Sequence, residues 1–254
     1  MNVKFNNVLL LEKFKSKSLV SVEFGSNLYG IKNNQSDSDI MLVYLDSDFE
    51  LKSCFGNHHQ FQYKDIENNT DYIVTSLSNF IRNLFSGDST INFEIVQSGS
   101  LLGSKLEFLD SMKNDLFTYR IIRSYVGLAR RDLTDYWKQN SDRDKNKAIF
   151  HGIRGYNYAK SIFTNKEIKL GVTDEIDYNY IMSIDNVERK QLSIKYQNLV
   201  KDLRDYVNNA YDNGRLGLYN YVNPNIQSKI DIEINKLYNE CDRIEFPDEF
   251  KELI

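Results

Sequence analysis

The chain is poor in the residues that would make it a stapled, secreted or membrane-bound protein. Two cysteines, Cys54 and Cys241, stand far apart in 254 residues, which rules out a disulfide framework and a Cys-x-x-Cys metal site and points to a reducing, cytoplasmic setting. The apolar run Val8–Leu11 near the start is too short for a leader peptide core. No stretch approaches the ~20 apolar residues of a membrane span, so no membrane partner is expected. A basic excess is missing as well: 32 Lys and Arg face 36 Asp and Glu, for a net charge of −4, whereas general nucleic-acid binders carry a surplus of cations. Proline occurs twice, and no Pro/Gly-rich linker, internal repeat or low-complexity tail divides the chain.

What is present is an ordinary globular composition, 41% hydrophobic and 27% charged, in a chain long enough for a sizeable core. Apolar spacing predicts a helix over residues 5–16, with Val8, Leu9, Leu11 and Phe14 on one side. Alternation in SLVSVEFG predicts a strand that stops at Gly25, and the continuous run DIMLVYL suits a strand covered on both faces. HQFQYKDI and the β-branched TDYIVTSL read as further strands. A helix follows on Leu77, Phe80, Ile81, Leu84 and Phe85, capped by Ser76 or Ser78 and ended by Gly87, and INFEIV reads as a strand or a helical turn. Beyond about residue 105 strand signals thin out, and long helical periodicities run through FTYRIIRSYVGLARRDLTDYW, DKNKAIFHGIRGYNYAKSIF, 184–211 and 225–243. The expectation is an α+β fold: an α/β domain over 1–110, a small mixed sheet with helices, followed by a C-terminal helical domain over 111–254.

The stretch FGSNLYGIKNNQSDSDI concentrates the chemistry. A Walker loop needs Lys and Ser/Thr directly after its second glycine, but Ile31 and Lys32 follow Gly30. A nucleophile elbow needs Gly-x-Ser-x-Gly, and an EF-hand needs a longer run of oxygen ligands ending in Glu; neither pattern is there. One reading survives. A strand ends in Gly25-Ser26, and the next strand begins with Asp37-x-Asp39. Side chains at i and i+2 of a strand point the same way, so the two carboxylates project together, as a pair of divalent cations requires. Gly25 and Ser26 leave backbone N–H groups and a hydroxyl open to phosphate oxygens. The ordinary alternatives are an Asp-rich turn for the carboxylates and a helix N-cap for Ser26.

Farther on, Lys147, His151 and Arg154 recur at i, i+4 and i+7 and share one helical face. Such a stripe suits phosphate oxygens or, more blandly, solvent. Adjacent His58 and His59 diverge in a strand and make a poor zinc site. Arg130, Arg131 and the Lys166–Lys169 stretch carry only a weak nucleic-acid signal.

Together FGSNLYG and SDSDI resemble the Gly-Ser…Asp-x-Asp signature of the DNA-polymerase-β-like nucleotidyltransferase superfamily. The segments TDYIVTSLSNFIRNLFSGDSTINFEIV, SYVGLARRD and KNKAIFHGIRGYNYAKSI resemble its RNA-repair-associated, RlaP-like branch, over roughly residues 18–165. The Asn-Pro usual in that branch ahead of the Glu of NFEIV is absent, and the only tryptophan is Trp137. The resemblance implies a metal-dependent transfer of a nucleoside monophosphate from an NTP to a hydroxyl, with release of pyrophosphate. It implies two Mg²⁺ or Mn²⁺ ions, held by Asp37, Asp39 and a third carboxylate, Asp71 or Glu94. It implies triphosphate contacts from Gly25, Ser26, Lys147, His151 and Arg154. The acceptor it suggests is an RNA 3′ end or tRNA, with a protein hydroxyl or a small molecule left open. A catalytically silent nucleotide or RNA sensor, or an interaction module on the same fold, is the competing reading.

Overall fold

The computed structural model describes residues 2–4, 7–32, 36–47, 60–171 and 177–245. Among the described residues five strands form one mixed sheet in the order β1-β4-β5-β3-β2. They are β1 (Asn2–Lys4), β2 (Ser18–Phe24), β3 (Ser38–Tyr44), β4 (Gln60–Asp65) and β5 (Thr70–Ser76). The pairs β2–β3 and β4–β5 are antiparallel, while β3–β5 and β1–β4 are parallel. Described helices are α1 (Val8–Lys17), α2 (Leu77–Ser86), α3 (Thr90–Gln97), α4 (Phe108–Ser111), α5 (Tyr119–Asp135), α6 (Asp142–Asn165), α7 (Tyr178–Ser183), α8 (Asn186–Asp212) and α9 (Pro224–Glu240). The α+β class expected from the sequence is the one observed.

Two compact units divide the chain. One gathers Met1–Phe85, Ile91–Asp115 and Asn223–Ile254; the other gathers Ser86–Thr90 and Leu116–Val222. The first holds the sheet. Its α1 starts at Asn7, whose side chain accepts from the Leu10 amide and so satisfies an orphan donor of the first turn. Leu10, Leu11 and Phe14 pack on Leu42 and Tyr44 of β3, Phe61 and Tyr63 of β4, Tyr72 and Val74 of β5, and Ile244. Phe14 lies 5.0 Å from the Tyr44 ring and 5.8 Å from the Phe61 ring. The expected stripe needs correction here: Val8 and Leu9 are exposed, and Leu10 takes the inward place. Leu11 and Phe14 of the expected stripe are buried, and Leu10, four residues before Phe14, completes it in place of Val8 and Leu9.

Alternation puts the intervening residues of β3, Asp39, Met41 and Val43, on the other face of the sheet. Met41 and Val43 are buried there too, so β3 is covered on both sides as its continuous apolar run implies. The Ser76 hydroxyl accepts from the Asn79 amide at the start of α2, and Gly87, at φ +67°, follows its end. INFEIV, open between strand and helix in the sequence, is α3.

The second unit is helical. Gly152 and Gly155 of α6 let it lie close on α5: a Cβ at Gly155 would stand 3.2 Å from the Ala129 amide nitrogen and 3.2 Å from the Tyr125 carbonyl. Arg189 of α8 is fully buried and donates to Asn146 (2.5 Å) and Asp142 (3.1 Å) of α6. Among the described residues no helix is long and apolar enough to cross a membrane.

Candidate active site

The site is built where β2, β3 and β5 run side by side. Phe24, the last residue of β2, pairs with Asp39. The chain then turns at Gly25 with φ +62°, a left-handed conformation that favours glycine. Space demands glycine as well. A Cβ at Gly25 would overlap a carboxylate oxygen of Asp39 and stand 3.1 Å from its Cγ. The Asp39 carboxyl group therefore lies directly against the Gly25 backbone. The turn closes on itself, with the Gly30 amide donating to Asn27 O (3.1 Å) and the Ile31 amide to Ser26 O (3.0 Å). Ser26 sits half-buried within it.

In the parallel β3–β5 ladder, Asp39 stands in register with Asp71. Partners in a ladder share a face, so both carboxylates project from the face opposite α1. Asp37, half-buried, lies two residues ahead of Asp39 and just outside the strand. On the other side of Asp71, β4 places Lys64 directly opposite, with its Nζ 3.3 Å from Asp71 Oδ1. Both partners are solvent-accessible, so the attraction is screened. A second lysine, Lys32, follows the turn and bonds Glu23 (2.8 Å) and the Ser38 hydroxyl (3.0 Å). Its ammonium holds the Glu23 carboxyl below the usual carboxylate range.

Glu94 is placed differently. It lies on α3, 1% exposed, and its Oε2 accepts from the Tyr29 hydroxyl at 2.5 Å. Tyr29 belongs to the same turn as Ser26.

In the helical unit, α6 carries the three cationic candidates. Lys147 is exposed, His151 half-buried, and Arg154 5% exposed with its guanidinium 5.8 Å from the Tyr158 ring. The expected solvent-side stripe is therefore graded, running from water at Lys147 into the helix packing at Arg154. Burial, together with the charges of Arg154, Lys147 and Arg131, pushes the His151 imidazole down to about 3. It is neutral at physiological pH. Arg131 also pairs with Asp132 at 2.8 Å, and Lys166 caps α6 in a left-handed conformation with its ammonium 3.3 Å from Gly217 O. His58 and His59 lie outside the described residues.

Compared with known families, the chain matches the RNA repair pathway DNA polymerase beta family, RlaP, over residues 7–170, more than half its length. The chain belongs to that family. RlaP membership and the mixed sheet support a nucleotidyltransferase, and the match includes the Gly25-Ser26 turn, Asp37, Asp39, Asp71, Glu94 and the α6 cations. Among proteins with curated descriptions none matches. A solved structure, a nucleotidyltransferase-like protein from Exiguobacterium sibiricum 255-15, aligns over 80% of this chain and 73% of its own. Its identity is 10% and its TM-score 0.31, too remote to bear on fold or function.

The resemblance of the Gly25-Ser26 and Asp37-x-Asp39 segments implies bound divalent cations. The donors are carboxylate oxygens, the hard ligands that Mg²⁺ prefers. Asp39 and Asp71 are ladder neighbours, and the Gly25 cradle fixes one of them. Among the described residues, however, no three His, Cys, Asp or Glu side chains are gathered into a cage. Lys64 rests on Asp71 instead. By ligand type the donors suit a hard divalent cation; by position, among the described residues, they are not assembled into a three-residue site, and Asp71 pairs with Lys64. Sequence reasoning missed Lys64 and Tyr29. Lys64 could be found only from the β4–β5 register, and Tyr29 reads as one more aromatic in a chain that has 17 tyrosines.

Proposed function

We propose that the protein transfers a nucleoside monophosphate from an NTP to a hydroxyl group, an RNA 3′ end being the favoured acceptor, and releases pyrophosphate. The observation that carries this reading is the pairing of Asp39 with Asp71 beside the glycine-lined turn. The chemistry needs neighbouring carboxylates beside backbone N–H groups that can take phosphate oxygens, and the Asp39–Asp71 register next to the 25–30 turn supports that reading. The acceptor oxygen attacks the α-phosphorus, and the bond from that phosphorus to the bridging oxygen of pyrophosphate breaks. The acceptor proton passes to a carboxylate of the Asp39–Asp71 pair. Backbone N–H groups of the turn and the Ser26 hydroxyl orient the triphosphate. Mg²⁺ or Mn²⁺, when bound by Asp37, Asp39 and Asp71, supplies charge stabilisation of the transferring phosphoryl group. Lys64 must part from Asp71 for that carboxylate to serve.

Lys147 and Arg154 are proposed to take phosphate oxygens, a role that rests on the resemblance of their helix to the family's. His151, neutral, adds hydrogen bonding rather than charge. RNA as the acceptor rests on the family's description alone.

The test is direct. Purified protein is incubated with each α-labelled NTP, Mg²⁺ or Mn²⁺ and pooled RNA, and label transfer and pyrophosphate are followed together. Asp37→Asn combined with Asp39→Asn, folded by circular dichroism, is expected to abolish both signals, a loss of at least about 10³-fold. Undiminished transfer by that double variant contradicts the mechanism. NTP binding without turnover in the wild type would favour the sensor reading.

A further inference from the structure

We propose that Glu94 is a positioning residue rather than a metal ligand, and that it acts through Tyr29 to hold the 25–30 turn in the shape that receives a triphosphate. This rests on the reading of that turn given above.

Within the turn, Gly25, Ser26 and Leu28 are half-buried and Asn27 and Gly30 exposed, while Tyr29 is turned inward with 5% of its surface exposed. A tyrosine buried in a solvent-facing turn needs a partner for its hydroxyl, because an unmet buried donor is costly. Glu94 provides it at 2.5 Å. The carboxylate sits on a fixed element. Its neighbours Phe93, Ile95 and Val96 are fully buried, and the Asn92 amide donates to the Phe80 carbonyl at 3.0 Å, tying α3 to α2. The turn has two positive-φ glycines, Gly25 and Gly30, and two internal backbone bonds. On its own such a segment samples many shapes, since glycine has the greatest backbone freedom to lose. A short hydrogen bond from Tyr29 to a post in the core removes that freedom before substrate arrives, and pre-organisation of this kind lowers the cost of binding. The same bond occupies an oxygen that a metal would need. Among the described residues no set of three ligating side chains forms around either candidate; what separates the two is that Asp71 stands in register with Asp39 whereas Glu94 is engaged by Tyr29. The two candidates for third carboxylate thus divide the work: Asp71 belongs to the acidic edge and Glu94 to the turn.

The experiment compares the full-length wild type with Tyr29→Phe, Glu94→Gln and the double variant. Binding of each of the four NTPs in Mn²⁺ is read by calorimetry, Mn²⁺ affinity by the free-ion paramagnetic resonance signal, and exchange of the Gly30 and Ile31 amides by NMR. Each single variant is expected to weaken triphosphate binding about tenfold and to speed exchange of both amides. The double variant is expected to be no worse than the weaker single, because both act through one bond. Mn²⁺ affinity is expected to stay within about twofold of the wild type. Tyr29→Phe removes a single oxygen and carries the test should Glu94→Gln fail to fold. Loss of Mn²⁺ in Glu94→Gln with its retention in Tyr29→Phe overturns the proposal in favour of a metal ligand. Wild-type NTP affinity in both singles overturns it as well. A wild type that binds none of the four NTPs overturns the underlying site reading, an outcome distinct from a failure of the clamp.

Discussion

At the residue scale the candidate site turns on charges that compete for one carboxylate. Asp71 faces Asp39 across one ladder and Lys64 across another. An exposed ion pair of this kind is worth at most about 1 kcal/mol. Replacing Lys64 by Met therefore should tighten Mn²⁺ binding by up to about fivefold, measured by titrating the free-ion resonance signal. Weaker Mn²⁺ binding in that variant would mean that Lys64 organises Asp71 rather than competing for it. The face on which Asp39 stands was legible in the sequence because strand alternation is local, whereas Asp37 lies just ahead of the strand, where alternation does not set its direction. Lys64 was not legible, since its meeting with Asp71 depends on hairpin register and the two stand on separate strands. Glu94 was named from the sequence as a candidate third carboxylate for the metals, but its burial was not legible: NFEIV carries no sign of the Tyr29 hydroxyl that meets it.

At the element scale, the α5–α6 pair shows how helix packing changes the meaning of a charge stripe. Gly152 and Gly155 bring α6 against the backbone of α5. Arg154, between them, is drawn into the packing, and Lys147 stays in water. The i, i+4, i+7 spacing correctly placed the three residues on one face, but spacing alone cannot say how deep that face lies. His151 feels the result, with its imidazole lowered from 6.5 to about 3 by burial first and the cations second. The unfolded chain therefore takes up a proton near pH 6.5 that the folded chain refuses until about pH 3. Stability contributed by neutral His151 is complete above pH 6.5 and declines as pH falls through that window. Between pH 7 and pH 5 the expected loss is at most about 2 kcal/mol. Urea unfolding at the two pH values should show this difference in the wild type and a smaller one in His151→Gln. Equal pH slopes in the two proteins would show that His151 is not the group responsible.

For the whole molecule, the sequence correctly announced a sheet-bearing part followed by helices, and the order of its motifs placed the chain in its family. The return of the C-terminal stretch was not readable, because that segment's helical periodicity looks like that of its neighbours. Yet Asn223–Ile254 groups with the sheet unit. Ile244 is 1% exposed in the cluster beneath α1. Tyr238 of α9 donates to Asp46 at 2.8 Å, and Asp46 also accepts from the Ser78 amide at the start of α2. Ile244→Ala is accordingly expected to cost about 2–4 kcal/mol, the penalty of a core residue rather than of a tail, read from the urea midpoint at constant slope. A change under about 0.5 kcal/mol would show that the segment is peripheral.

The central claim is that Asp39 and Asp71, side by side beneath the Gly25 turn, grip divalent cations around a nucleoside triphosphate. Its most direct test is a crystal of the protein grown with Mn²⁺ and a non-hydrolysable NTP, examined by anomalous scattering. The account predicts a manganese peak bonded to Asp39 and Asp71, with the triphosphate against the 25–30 turn. A nucleotide bound elsewhere, or an acidic edge that stays free of manganese while Lys64 keeps its hold on Asp71, would contradict it.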